Sequence, residues 1–449
     1  MKKIIVLCLL ISTMIILVSC TPEDDGRLSD AELSVVYSEM KRSFEFFWET
    51  TNHNEEQVGY GLARDRYPNA PSLSSIAATG FALAAYAIGV DEEWITEEEG
   101  FNRANQTMDT LLEIQRKNGF YYHFYNIVTG VPSPNSEVSI IDTGLLVMGA
   151  IVASEYFGGT VADKFQEMYD EIDWNWYINP SRNMFYMGYS DQSGFSGAWD
   201  HMAEQLILYV LAAGSLTHST DESLYETVMA VEMSQYYGGY QSTKYPENSV
   251  EPFYYAYNGS LFQHQFSHAF IDFREMDDPN GINWFDNATL AAKANYAYTQ
   301  DYKDVFKTYG ENAWGITASD GPGEYNAYGA RPAKNVTHNG TIAPYGALAS
   351  INYLPKKSAD ASKHFFSIEG LWDTYGFKDA YNMGPYDVNA YPSLASKTPW
   401  IAPDYIGIDK GITLLMISNY KNGFVWENVM KNYHIYAGLT ILGFEDIKM

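Results

Sequence analysis

Asn135-Ser-Glu137-Val-Ser139-Ile-Ile-Asp142-Thr-Gly-Leu-Leu-Val-Met-Gly-Ala-Ile-Val-Ala-Ser-Glu-Tyr-Phe-Gly-Gly159 is the stretch on which the fold turns. Ser139, followed three residues later by Asp142, has the spacing of a capping box, in which side chains satisfy the free N–H groups of a helix start. The helix expected from there is apolar on nearly every side from Leu145 to Val152 and stops at Gly158-Gly159. A helix apolar all round must be surrounded by protein. Its entrance nevertheless carries two carboxylates, Glu137 and Asp142, with no Lys or Arg close by in sequence. The pattern predicts a buried helix whose N-terminal end opens into a polar cavity.

Outward from this stretch, the same kind of helix recurs. Apolar helices are expected near 74–90, 139–157, 201–215, 259–273, 340–353 and 406–420, starting about every 60 to 80 residues. Amphipathic ones are expected near 30–50, 94–117, 161–172, 220–235, 284–301, 360–372 and 424–437. Weak self-similarity follows the period: Ser75-Ile-Ala-Ala-Thr-Gly80, Ser139-Ile-Ile-Asp-Thr-Gly144, Gly340-Thr-Ile-Ala-Pro-Tyr-Gly346 and Gly407-Ile-Asp-Lys-Gly411. A repeat of one buried and one half-exposed helix predicts an all-α (α/α)6 toroid, six inner and six outer helices, with a few short loop strands. Parallel inner helices would put their entrances on one face, around one cleft. The longest interval holds Trp314-Gly-Ile-Thr-Ala-Ser-Asp320-Gly-Pro-Gly-Glu324-Tyr325-Asn-Ala-Tyr328, a Gly-rich, acidic and aromatic segment expected to cover that cleft.

Composition narrows the function. Aromatics make up 16% of the 449 residues, with 37 Tyr and 10 Trp, more than a core requires and suited to stacking on the C–H faces of sugars. A formal charge of -28 excludes nucleic acid and polyanionic polysaccharides as partners, because both need basic surfaces. Lys2-Lys3, the apolar run Ile4 to Val18 and Leu17-Val18-Ser19-Cys20 read as a bacterial lipoprotein signal with its lipobox. The expected organisation is a signal peptide over 1–19, a tether over 20–29 lipidated at Cys20, and a single domain over 30–449. The protein is then a monomer in the cell envelope, in contact with a membrane only through the lipid at Cys20. Cys8 leaves with the signal, so no disulfide is expected.

Glycoside hydrolysis needs one protonated carboxylic acid and one carboxylate acting as base or nucleophile. Candidates belong in the loops before, or the first turns of, the inner helices. Glu137 precedes the second, Asp142 lies in its first turn, and Glu204 of Trp199-Asp200-His201-Met-Ala-Glu204-Gln205 begins the third among apolar neighbours. A desolvated carboxyl there would have a raised pKa, as a general acid requires. Asp142 reads equally as a cap, and Asp200 most simply as an N-cap. His264, His268 and Asp272 recur every four residues on one helical face. Large apolar flanks and the absence of a zinc-protease glutamate favour sugar hydroxyls over a metal there, with Asp272 and Arg274 structural. No phosphate-binding or dinucleotide fingerprint stands out, and no metal or cofactor is expected.

Taken together, Ser74-Ser-Ile-Ala-Ala-Thr-Gly-Phe-Ala-Leu83, Glu137-Val-Ser-Ile-Ile-Asp-Thr143, Glu204-Gln-Leu-Ile-Leu-Tyr209, Phe262-Gln-His-Gln-Phe-Ser-His268, Asp320-Gly-Pro322 and Gly340-Thr-Ile-Ala-Pro344 resemble the bacterial glycoamylase-like domain, glycoside hydrolase family 144, the endo-β-1,2-glucanases. The resemblance spans roughly residues 30 to 445. It implies an (α/α)6 toroid and inverting hydrolysis of β-1,2-glucan to sophoro-oligosaccharides without a metal. The family's acidic candidates match Glu137 and Glu204. On this reading Glu204 is the acid and Glu137 the base, with Asp142 beside them. Arg64, Asp65, Trp199, Gln205, His264, His268, Trp314, Asp320, Glu324 and Tyr325 are expected to bind the sugar. The rival readings are a glucoamylase-like exo-acting glucosidase, an (α/α)6 polysaccharide lyase, which would need basic residues for a uronate, and a non-catalytic glycan-binding lipoprotein.

Overall fold

Ser139 caps a helix as its spacing predicts: its hydroxyl accepts the Asp142 N–H at 3.2 Å, and Ile140–Phe157 runs on from it, buried for most of its length. The computed structural model describes residues 28–447, so the expected signal peptide, tether and Cys20 lie outside the described residues. In chain order the helices are α1 (Asp30–Thr50), α2 (Ile76–Asp91), α3 (Glu97–Glu113), α4 (Ile140–Phe157), α5 (Gly159–Asp170), α6 (Leu206–Gly214), α7 (Ser223–Gln235), α8 (Phe266–Phe270), α9 (Trp284–Tyr302), α10 (Pro344–Leu348), α11 (Pro355–Phe366), α12 (Pro392–Ala395), α13 (Gly407–Asn422), α14 (Phe424–Lys431) and α15 (Tyr433–Ile441).

The apolar helices form a circuit. α2 packs on α4, α4 on α6, α10 on α13 and α13 on α2. Ser267 joins α6 to α8, its Oγ donating to Glu204 O at 2.7 Å and accepting from Ile207 N at 3.3 Å. Gln265 joins α8 to α10, its Nε2 donating to Gly346 O and to Ser350 Oγ, both at 2.9 Å. The tightest crossing is between α2 and α4, where a Cβ on Gly149 would lie 1.9 Å from Gly80 O. Glycine at both positions lets the two backbones touch. Outside the circuit α1 packs on α2, α11 and α13, α3 on α2, α5 on α3 and α4, and α11 on α10. One hydrophobic core runs from Leu33 to Phe444.

Short antiparallel strand pairs, distant in the chain, stitch helix entrances together. Arg66–Tyr67 pairs with Tyr405–Ile406, Leu73–Ser75 with Phe124–Asn126, and Val138–Ser139 with Gly188–Ser190. The first of these ties the loop entering α2 to the loop entering α13, so chain segments more than three hundred residues apart close one rim. The strands are short but more numerous than the periodicity suggests, because every entrance loop folds back on a neighbour.

Three apolar helices are shorter than expected. Before α6, Gln205 accepts from Ala203 N at 2.7 Å and donates to His201 O at 2.5 Å, which holds residues 201–205 in turns. α8 follows a separate 3-10 turn, Leu261–His264, and ends at Ile271, whose backbone is extended. α10 cannot begin before Pro344, and the residue ahead of it, Ala343, is extended as a pre-proline residue prefers. The last amphipathic stretch is also not one continuous helix. It splits into α14 and α15, which pack across α4, α6, α8 and α13.

Candidate active site

Glu137 leaves the Val138–Ser139 strand beside His123, whose Nδ1 lies 2.8 Å from Glu137 Oε1 and whose Nε2 lies 3.8 Å from Asp142 Oδ1. Burial opposes a charge on His123, but Asp142, Glu137 and Asp65 outweigh it and hold the imidazole protonated up to about 9. The His123 hydrogen bond in turn keeps Glu137 below the usual carboxylate range. Asp142 completes the helix cap, 2.5 Å from Ser139 Oγ. His123, Glu137 and Asp142 offer three ligand atoms within 4.8 Å of one another. A metal would have to displace the His123 proton, so the set reads first as an ion-paired triad. Across the entrance to α6, Glu204 is desolvated, and that burial, with the Asp142 charge adding to it, pushes its carboxyl up to about 7. Gln263 hydrogen-bonds Glu204 and partly offsets the rise. Glu204 Oε2 has no partner among the described residues. A proton held on Glu204 and a negative charge held on Glu137, with Asp142 influencing both neighbourhoods, form an acid–base set.

A second cluster continues from Asp65. Arg66 reaches Asp65 Oδ2 at 3.4 Å, Asp320 Oδ2 at 3.2 Å and Asp404 Oδ2 at 3.2 Å. Asp404 also receives Asn69 N at 3.1 Å and Asn69 Nδ2 at 2.9 Å. Tyr325 hangs over this floor from the Gly-rich segment. Its ring is 48% exposed, while desolvation and the charges of Asp409, Asp379, Asp320 and Asp65 hold its hydroxyl far above the usual tyrosine range. Carboxylates, a guanidinium and a phenol on one surface match the alternating donors and acceptors of a sugar ring.

The family model for glycoamylase, described as "Putative glucoamylase", matches residues 196–433. The chain belongs to this family. A curated relative, an exo β-1,2-glucooligosaccharide sophorohydrolase (non-reducing end) from Parabacteroides distasonis, is 27% identical over 89% of this chain. The chain spans about half of that relative, 56% of its length. A solved structure of the same glucoamylase description from Bacteroides uniformis is 27% identical, with a TM-score of 0.79 over 93% of this chain and 98% of that one. The endo-β-1,2-glucanase of Chitinophaga pinensis, solved with sophorotriose and glucose, superposes with a TM-score of 0.78 over 94% of this chain and 99% of that one. At 23% identity that likeness speaks for the fold alone.

The structure brings together Glu137, Asp142, Glu204, Asp65, Asp320 and Tyr325, and it removes several expected sugar contacts. Trp314 is fully buried, with its indole turned toward Lys357 O, and Trp199 is 4% exposed, so neither offers a face to a sugar. Gln205 spends both ends of its amide on the turn before α6. His268 is 4% exposed among Phe273, Phe285 and Tyr353, and burial lowers it to about 3, a neutral core histidine. His264 borders a closed void of about 10 Å³ with Gln263 and His268, and burial lowers it to about 4. Because α8 ends at Phe270, Asp272 leaves the expected histidine face and forms a fork with Arg274 at 2.7 Å. Arg64 turns away from the acidic floor toward Pro71 O at 2.9 Å, and its neighbour Arg66 takes the place expected of it. Asp200 does not cap α6 but pairs with Arg182 at 2.9 Å, and Glu324 is exposed. The residues that sequence reasoning passed over are His123, Arg66, Gln263, Asp379, Asp404 and Asp409. Asp409 had a signal, since it is the third residue of α13 as Asp142 is of α4.

Proposed function

We propose that this chain is a monomeric, single-domain glycoside hydrolase that cleaves β-1,2-linked glucan within an (α/α)6 toroid. The observation that carries the reading is the protonated Glu204 set across from the ionised Glu137 at adjacent helix entrances. Glu204 gives its proton to the leaving glycosidic oxygen, and Glu137, steered by His123, accepts one from the attacking water. That division of labour inverts the anomeric centre. The substrate follows from the relatives, which act on β-1,2-glucooligosaccharide or β-1,2-glucan by name. The toroid is supported by the α2–α4–α6–α8–α10–α13 circuit and by the glucanase folds on which the chain superposes. Attack within the glucan releases sophoro-oligosaccharides, and Cys20 carries a lipid that keeps the enzyme in the envelope.

Purified enzyme given glucans of defined linkage should release reducing ends from the β-1,2-linked polymer, with α-configured products in the first NMR spectra. Sophorose as the sole first product would make the action exo instead of endo. Glu204→Gln should abolish release, a loss of at least about a thousandfold, with an unchanged circular dichroism spectrum. Turnover near that of the unaltered enzyme would remove Glu204 from the acid role.

A further inference from the structure

Behind the Arg66 cluster lie two carboxyls that the proposed chemistry leaves unused. Asp379 and Asp409 are each 4% exposed. Asp379 follows the Gly376–Phe377 strand and Asp409 lies in the first turn of α13, the point at which the two ends of the ring meet. Asp379 is built into the floor: its Oδ2 accepts the Asp320 N–H at 2.7 Å, and its own N–H donates to Asp404 O at 3.0 Å. Asp379 Oδ1 and Asp409 Oδ2 find no N–H or hydroxyl donor among the described residues. The void beside the pair measures about 10 Å³, at the lower limit for one water. Nearby cations are committed elsewhere. Arg66 serves Asp65, Asp320 and Asp404, Lys410 is paired with Glu39, and Lys378 faces Asp373 at 3.9 Å. The remaining neighbours are the Tyr325 hydroxyl on the cover and the Tyr345 hydroxyl on α10.

We infer that Asp379 and Asp409 share a single proton and act as positioning residues, holding Asp320 and Arg66 as the sugar-binding floor only while that proton is present. Two adjacent buried anions without a cation in contact are untenable, whereas one proton converts them into a carboxyl–carboxylate hydrogen bond. Burial raises both groups above the usual carboxylate range, so the pair keeps a proton at neutral pH. Loss of the proton as pH rises sets a second charge beneath Asp320 and Asp65, and their repulsion opens the floor. The effect falls on substrate binding and so on KM, whereas loss of the Glu204 proton falls on kcat.

The role rests on the β-glucan reading, but the shared proton does not. Infrared spectra of protein labelled with ¹³C-aspartate should show a protonated carboxyl stretch at neutral pH that disappears in Asp409→Asn and in Asp379→Asn. In a Glu204→Gln background, calorimetric affinity for sophoro-oligosaccharides should fall up to about tenfold per pH unit once the pair loses its last proton, and adding Asp409→Asn should flatten that dependence. If Asp409→Asn does not fold, Asp379→Asn carries the same comparison, and the titration of the unaltered protein stands by itself. Absence of the carboxyl band overturns the shared proton, and an unchanged pH dependence in the variant overturns the positioning role. If the band is present but no sophoro-oligosaccharide binds at any pH, the positioning role and the β-1,2-glucan reading fall while the shared proton remains.

Discussion

Desolvation raises Glu204 because its carboxyl enters protein with Gln263 as its one hydrogen-bonding side chain, whereas His123 lowers Glu137 by donating a charged hydrogen bond. The same residue type thus reaches two protonation states through its surroundings. The signs predict a bell-shaped profile. The alkaline limb of kcat should fall near pH 7, where Glu204 loses its proton, and the acid limb should follow Glu137. His123→Asn withdraws the bond that depresses Glu137, so its pKa rises and the acid limb should move to higher pH. An acid limb that stays in place would show that another group serves as base. None of this was visible around His123 itself, a lone histidine in the bend between the Phe120–Tyr121 and Phe124–Asn126 strands; its meaning comes from Glu137 and Asp142 folding onto it.

Among the elements, α2 and α4 were the most legible, because a helix apolar on every side has only one place to go. Their glycines carry a sharper consequence. Gly149→Ala would drive a methyl into Gly80 O, and two backbones cannot separate without disturbing the packing on either side. A loss of about 1–3 kcal/mol, or more, is expected in denaturant unfolding. A loss under about 0.5 kcal/mol would mean that the crossing has slack. α6, α8 and α10 were harder to delimit. Their apolar composition continues past their ends, and a glutamine amide, an extended isoleucine and a proline stop the helices there. Periodicity registers burial, and a buried turn is as apolar as a buried helix.

At the scale of the molecule, a buried ion pair latches α1 to α13. Glu39 on α1 and Lys410 on α13 pair in the interior, with side chains 3% and 4% exposed, and Glu39 also accepts the Phe377 N–H at 2.9 Å. Burial pushes Glu39 up and Lys410 down, each toward its neutral form, and each is the other's compensation. Lys410→Met should therefore cost about 3–5 kcal/mol in chemical denaturation by stranding a buried carboxylate, and adding Glu39→Leu should restore much of the loss. A single variant as stable as the unaltered protein would show that the pair adds nothing. An open groove of about 990 Å³ surrounds Asp272, Arg274, Asn419 and Trp426. It lies at the C-terminal ends of α8 and α13, away from the helix entrances that carry the acids.

By itself the sequence determined the recurring apolar and amphipathic helices, and the acids Glu137, Asp142 and Glu204 at the entrances to α4 and α6. Period and polarity are local properties that a chain cannot conceal. The tertiary structure alone decided which aromatic rings and histidines were left for a sugar and which were consumed by the core, and that Arg66, not Arg64, joins the acidic floor. It alone also placed Asp379 against Asp409 and His123 against Glu137. A pKa, an ion pair or a free hydrogen-bonding atom depends on distances across the fold, and residues far apart in the chain acquire those distances only when the helices pack together.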